Sequence, residues 1–127
     1  MEENTLADSI AVGVPRNADK ALMAIRESHG LTVNVTDEEI MAAQQLLGRT
    51  CGVFGEPAGV TGTAGVKKLC EAGKLGKNDT VVSVVTGNGL KDVANAIAAC
   101  GEPIAIPGDM DRLLAAFAER GIQTERV

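Results

Sequence analysis

A chain of 127 residues fits one domain, and 45% hydrophobic residues can give it a core. That core must be aliphatic, because the only aromatics are Phe54 and Phe117. The net charge of −5, with no basic run, argues against nonspecific nucleic-acid binding, and no apolar stretch reaches the ~20 residues that span a bilayer.

In chain order, the single domain 1–127 opens with an irregular N-terminal segment, 1–16, in which Gly13 and Pro15 break any long element. The acidic start, Met1-Glu-Glu-Asn, lacks the basic and apolar regions of a signal peptide. Asn17 is the expected N-cap of a helix to about Ser28, with Ala21, Leu22, Met23 and Ile25 apolar and Gly30 as its left-handed cap. Leu31-Thr-Val-Asn-Val35 alternates and predicts a strand. Thr36-Asp-Glu-Glu39 is a capping box, and Ile40, Ala43 and Leu47 mark the buried face of the helix it opens. That helix is expected to end between Gly48 and Gly52. Pro57 suits the first turn of the next helix, which should run to about Glu71. Gly59, Gly62 and Gly65 lie inside it. Each costs roughly 1 kcal/mol against alanine, so they imply a close neighbour or a locally weak helix. Thr80 to Val85 is rich in β-branched residues and predicts a strand buried on both faces. Leu90 to Cys100 is a predicted helix capped by Gly101. Pro103-Ile-Ala-Ile106 is a short strand, and Asp109 to Arg120 a last helix, with Leu113, Leu114 and Phe117 inward. This alternation predicts α/β with a mostly parallel sheet.

The most informative stretch is Thr80-Val-Val-Ser-Val-Val-Thr-Gly-Asn-Gly-Leu-Lys-Asp92. Its strand stops at Thr86-Gly-Asn-Gly89, where glycines allow backbone to come close to a ligand or to turn sharply. In open α/β sheets, ligands gather at the carboxyl ends of strands. This stretch resembles the C-terminal region of threonine synthase, a pyridoxal-phosphate (PLP) enzyme of fold type II. Three more segments agree in order: Thr5-Leu-Ala with Lys20-Ala-Leu-Met-Ala-Ile-Arg-Glu-Ser28, Val35-Thr-Asp-Glu-Glu-Ile40, and Gly52-Val-Phe-Gly-Glu-Pro-Ala58. The resemblance implies a three-layer, partial parallel sheet flanked by helices, the C-terminal part of the family's large domain. It also implies PLP as cofactor of the complete enzyme. Family members carry a Schiff-base lysine in a Ser-Phe-Lys-Asp-like setting and a glycine-rich phosphate loop, both upstream of the part matched. None of Lys20, Lys67, Lys68, Lys74, Lys77 and Lys91 has that setting, so no catalytic residue is assigned and covalent cofactor binding by this chain is not expected.

The resemblance places Thr86 against the pyridine nitrogen of PLP; the bland alternative is a hydroxyl bonding backbone at a strand end. Gly87, Asn88 and Gly89 would shape the rim of that site, or form a tight turn with Asn88 left-handed. Glu56 would approach the cofactor side, or serve only as a carboxylate at a helix start. Gly59 stands where many members have Ser or Ala, so a contact from that side chain is gone. His29 reads as a polar helix end, Lys67, Lys68 and Lys74 as a solvated face, and Cys51, Cys70 and Cys100 as small core residues. The cysteines are three, far apart and without Cys-x-x-Cys, so no metal site or disulfide framework is suggested, and a reducing cytoplasm fits.

Three functions fit. The first is the C-terminal portion of an enzyme that converts O-phosphohomoserine and water to threonine and phosphate, inactive by itself. The second is a stand-alone module that binds a small molecule or partner protein. The third is one subunit of a split PLP lyase. Expected partners are an upstream catalytic segment or chain and further copies of itself, with neither nucleic acid nor membrane.

Overall fold

The computed structural model describes residues 3–101, 103, 105–106 and 108–123. Its core forms where two helices with small apolar faces meet. Helix α1 spans Ala18–Glu27, α2 Asp37–Cys51, α3 Pro57–Glu71, α4 Val93–Cys100 and α5 Met110–Glu119. Ile40 and Ala43 of α2 close on Val60 and Ala64 of α3, and all four are buried. Ala7 completes the cluster, with Leu6, Val35, Leu47, Ala58 and Val85 against it.

Local chemistry sets the ends of these elements. The Thr36 hydroxyl accepts from the Glu39 amide at 3.2 Å, and the Glu39 carboxylate accepts from the Thr36 amide at 2.7 Å, a complete capping box. Gly52 ends α2 at φ 66°, so the helix runs through Gly48. Pro57 occupies the first turn of α3. Asp92 caps α4 by accepting from the Asn95 amide at 3.1 Å. The N-terminal segment is stitched to the start of α2: the Thr5 hydroxyl donates to Asp37 at 2.6 Å and the Leu6 amide donates to it at 3.1 Å. That tie carries Ala7 into the core.

Several expectations change. At the end of α1, His29 and not Gly30 takes the left-handed conformation, at φ 53°. The Gly30 amide then bonds the Ile25 carbonyl at 2.8 Å, closing the helix by a 6→1 bond. Residues 31–35 and 80–85 form no strands, so the parallel sheet is not formed among the described residues. A strand needs a neighbour to complete its ladder, and the described residues hold only one isolated antiparallel bridge, Gly55 to Asn88. The strand expected over 103–106 lies partly outside the described residues. The three cysteines are exposed, not core residues. Helices α1 and α5 bury no residue, and Leu22, Met23, Met110 and Leu114 face outward.

The β-branched runs nonetheless lie against α3. Val33 Cγ1 would stand 3.1 Å from a Cβ at Gly65, and Ser83 Oγ 3.7 Å from one at Gly62. The Ser83 hydroxyl also pairs with that of Thr63 at 2.9 Å. Among the described residues, no helix is long and apolar enough to cross a membrane.

Candidate functional site

Two short segments, 53–56 and 85–91, meet at the N-terminus of α3. The Glu56 amide donates to the Gly87 carbonyl at 2.9 Å, and the Gly89 amide donates to the Phe54 carbonyl at 3.0 Å. The glycines of this seam leave no room for a Cβ. A Cβ at Gly59 would stand 2.8 Å from the Gly87 nitrogen. At Gly55 it would meet Val60 and Val85 at 2.5 and 2.6 Å, and at Gly89 the Phe54 ring at 2.5 Å. Gly59 is therefore a close-approach position, where a Cβ could not fit without moving Gly87. Neither Gly87 nor Gly89 has positive φ, and Asn88 is extended at φ −79°, ψ 142°. The glycines here provide space, not turn geometry. Asn88 Oδ1 accepts from the Leu90 amide at 2.9 Å and starts a short 3-10 turn, Gly89–Lys91.

Thr86, Gly87 and Asn88 line one open depression of about 290 Å³ with Val53, Phe54 and Val85. Thr86 is exposed, and among the described residues its hydroxyl makes no hydrogen bond to protein. It is available to a ligand, and the depression beside it is walled by apolar side chains. These residues fit the edge of a planar heteroaromatic ring that needs one hydroxyl partner.

Glu56 lies on the other side of Gly87. It faces a separate, polar cavity of about 360 Å³ that includes Asp8, Ser9, Lys91, Asp92 and Asn95. Its residue is 5% exposed, and its carboxylate accepts from Lys91 Nζ at 3.0 Å. The sequence-predicted residues Thr86, Gly87 and Asn88 thus come together, while Glu56 supports them from behind. Lys91 was assigned no role by sequence reasoning, since nothing in the sequence couples residues 35 positions apart.

Gln44 was also missed. It is 3% exposed, and its amide donates to the Gly55 carbonyl at 2.7 Å, bracing the seam from α2. Its Oε1 is buried with no partner among the described residues. The available signal was its place four residues after Ile40, on the apolar face, where a polar residue is out of pattern.

A family model described as "Pyridoxal-phosphate dependent enzyme" matches residues 1–87, from the N-terminal segment through Gly87. The chain belongs to the pyridoxal-phosphate dependent enzyme family. Over 114 residues it is 46% identical to the threonine synthase of Methanosarcina acetivorans, a match covering 88% of this chain and 28% of that protein. Against the threonine synthase of Methanocaldococcus jannaschii the identity is 50% over 109 residues, covering 86% of the chain and 27% of the relative. The Halalkalibacterium halodurans threonine synthase is 43% identical over 114 residues, covering 89% and 32%. The chain therefore spans about a third or less of the length of the curated relatives it matches. Membership supports an α/β fold and pyridoxal phosphate as the cofactor of the complete enzyme.

Proposed function

We propose that this chain is the C-terminal portion of a threonine-synthase-like enzyme that acts in the cytoplasm. The complete enzyme would convert O-phosphohomoserine and water to threonine and phosphate. The reading rests on the free, exposed hydroxyl of Thr86 beside an open depression, in a chain 50% identical to a threonine synthase. In the complete enzyme, residues 31–35 and 80–85 would pair with strands from the rest of the protein, making the parallel sheet on which α3 packs.

Pyridoxal phosphate supplies an electron sink for carbon acids when bound. Thr86 would donate its hydroxyl hydrogen to the unprotonated pyridine nitrogen. A neutral hydroxyl leaves that nitrogen uncharged, whereas a carboxylate would hold it protonated. Val53, Phe54 and Val85 would flank the ring edge beside this hydrogen bond. Gly87 and Asn88 form the rim. Within this chain no lysine has the setting of the Schiff-base residue, which is therefore assigned to the remainder of the enzyme.

Thr86→Val in a chimera in which this chain replaces the matched segment of a threonine synthase tests the reading. It keeps the branched shape and removes the hydroxyl, at about 1–3 kcal/mol, or roughly 5- to 150-fold weaker cofactor binding by titration. Thr86→Ser should recover most of the loss. Unchanged affinity in Thr86→Val would exclude this role.

A further inference from the structure

We infer that Lys91 and Glu56 form a latch that positions Thr86, with Glu56 acting from behind the site and Lys91 holding Glu56. The functional half of this inference rests on the reading of Thr86 given above. Glu56 Oε1 stands 1.7 Å from where a Cβ of Gly87 would be, so the carboxylate fills the space beside that α-carbon. Gly59 closes Gly87 from another side, its own Cβ position 2.8 Å from the Gly87 nitrogen and 2.9 Å from the oxygen. Gly87 is thus clamped between a carboxylate and a helix backbone, and its neighbour Thr86 inherits the fixed position.

The clamp depends on keeping Glu56 in place. Its side chain is 7% exposed, and a carboxylate so buried needs a cation or several donors. Lys91 Nζ, at 3.0 Å, is the cation that meets it among the described residues. The Lys91 side chain is itself 60% exposed and does not line the depression that holds Thr86. Its effect on Thr86 therefore runs through Glu56. Without the ammonium, the carboxylate has an exit: the polar cavity of about 360 Å³ that it already faces. Turning into it would vacate the space beside Gly87 and release the 86–91 segment. An ordinary surface ion pair would not behave this way, because both partners would already be hydrated.

Amide hydrogen exchange on the 127-residue chain reads the latch without cofactor. The Glu56 and Gly89 amides, which bridge the seam, are the reporters, and the Ala64 amide in the core of α3 is the control. Lys91→Met keeps the aliphatic stem and should speed exchange of both reporters by about tenfold, with Ala64 unchanged. Lys91→Arg should restore protection. Reporters within about threefold of the parent in Lys91→Met would overturn the latch. In the same chimera, Lys91→Met should weaken pyridoxal-phosphate binding, and adding it to Thr86→Val should cause little further loss, because both act through one contact. Fully additive losses would overturn positioning through Thr86. If Thr86→Val alone changed nothing, the assignment of Thr86 would fail, while the exchange data would still decide the latch.

Discussion

Glycine carries two different meanings within one helix of this chain. Gly62 and Gly59 look alike by sequence, both on α3 and three residues apart. At Gly62 the nearest foreign atom to a new Cβ is 3.7 Å away, ordinary contact distance. At Gly59 the backbone of Gly87 would be 2.8 Å away and could not yield without moving the Thr86 segment. Gly62→Ala should therefore stabilise the chain by about 0.5–1 kcal/mol, the usual helical gain. Gly59→Ala should destabilise it by about 1–3 kcal/mol, the usual cost of overpacking. Urea denaturation of the two variants checks the opposite signs; a gain in both would mean that the seam is loose. Residue-scale chemistry was only half legible beforehand. Thr86 stood out through its motif, and it reaches solvent beside a depression. The Glu56–Lys91 pair and the role of Gly59 depend on tertiary approach between distant segments, which periodicity does not encode.

Helix ends were legible at α2, α3 and α5, where the cap is a local matter, but Asn17 makes no side-chain cap at α1 and His29 takes the conformation expected of Gly30. Thr36 and Glu39 satisfy each other as their spacing predicts, and Pro57 and Asp109 stand where α3 and α5 begin. The expected strands fared otherwise. Val82 and Val84 have the right side chains but no partner ladder among the described residues, and both are well exposed. A β-branched run states a preference that only a neighbour can fulfil. The capping box also carries a pH dependence. The Lys68 ammonium first, and the Thr36 amide second, hold the Glu39 carboxyl below its ordinary value. The Thr36 hydroxyl and the residue's own backbone amide do the same for Glu38. Lowered folded values favour the folded state above the ordinary glutamate pKa of about 4.3. That contribution fades as pH falls through the lowered values. The first turn of α2 should fray in that acidic range, seen as faster exchange of the Glu39 amide relative to Ala43. Lys68→Met should weaken this pH dependence, and Thr36→Ala should cost about 1 kcal/mol at neutral pH. A flat profile from pH 6 to about 2.5 would contradict the assignment.

The whole molecule exposes more surface than an independent domain of its mass. Its accessible area is 9952 Å², against about 6,400 Å² expected for a folded monomer of 13.1 kDa. Among the described residues, the buried core is one small cluster between α2, α3 and the N-terminal segment, while Val82, Val84, Leu22 and Met110 face outward. Unpaired β-branched segments and outward apolar helix faces are the features that association covers. The isolated chain should self-associate, with a mean mass by light scattering that rises across a dilution series toward high concentration. A monomer at every concentration would favour the stand-alone module. If these residues complete a PLP enzyme, one chimera should show it. In it, this chain replaces the matched segment of the Methanocaldococcus jannaschii threonine synthase, and phosphate release from O-phosphohomoserine is measured per bound cofactor. Phosphate release should depend on Thr86, falling in the Thr86→Val chimera. A folded, cofactor-loaded chimera that releases no phosphate, or one indifferent to Thr86→Val, would contradict that role.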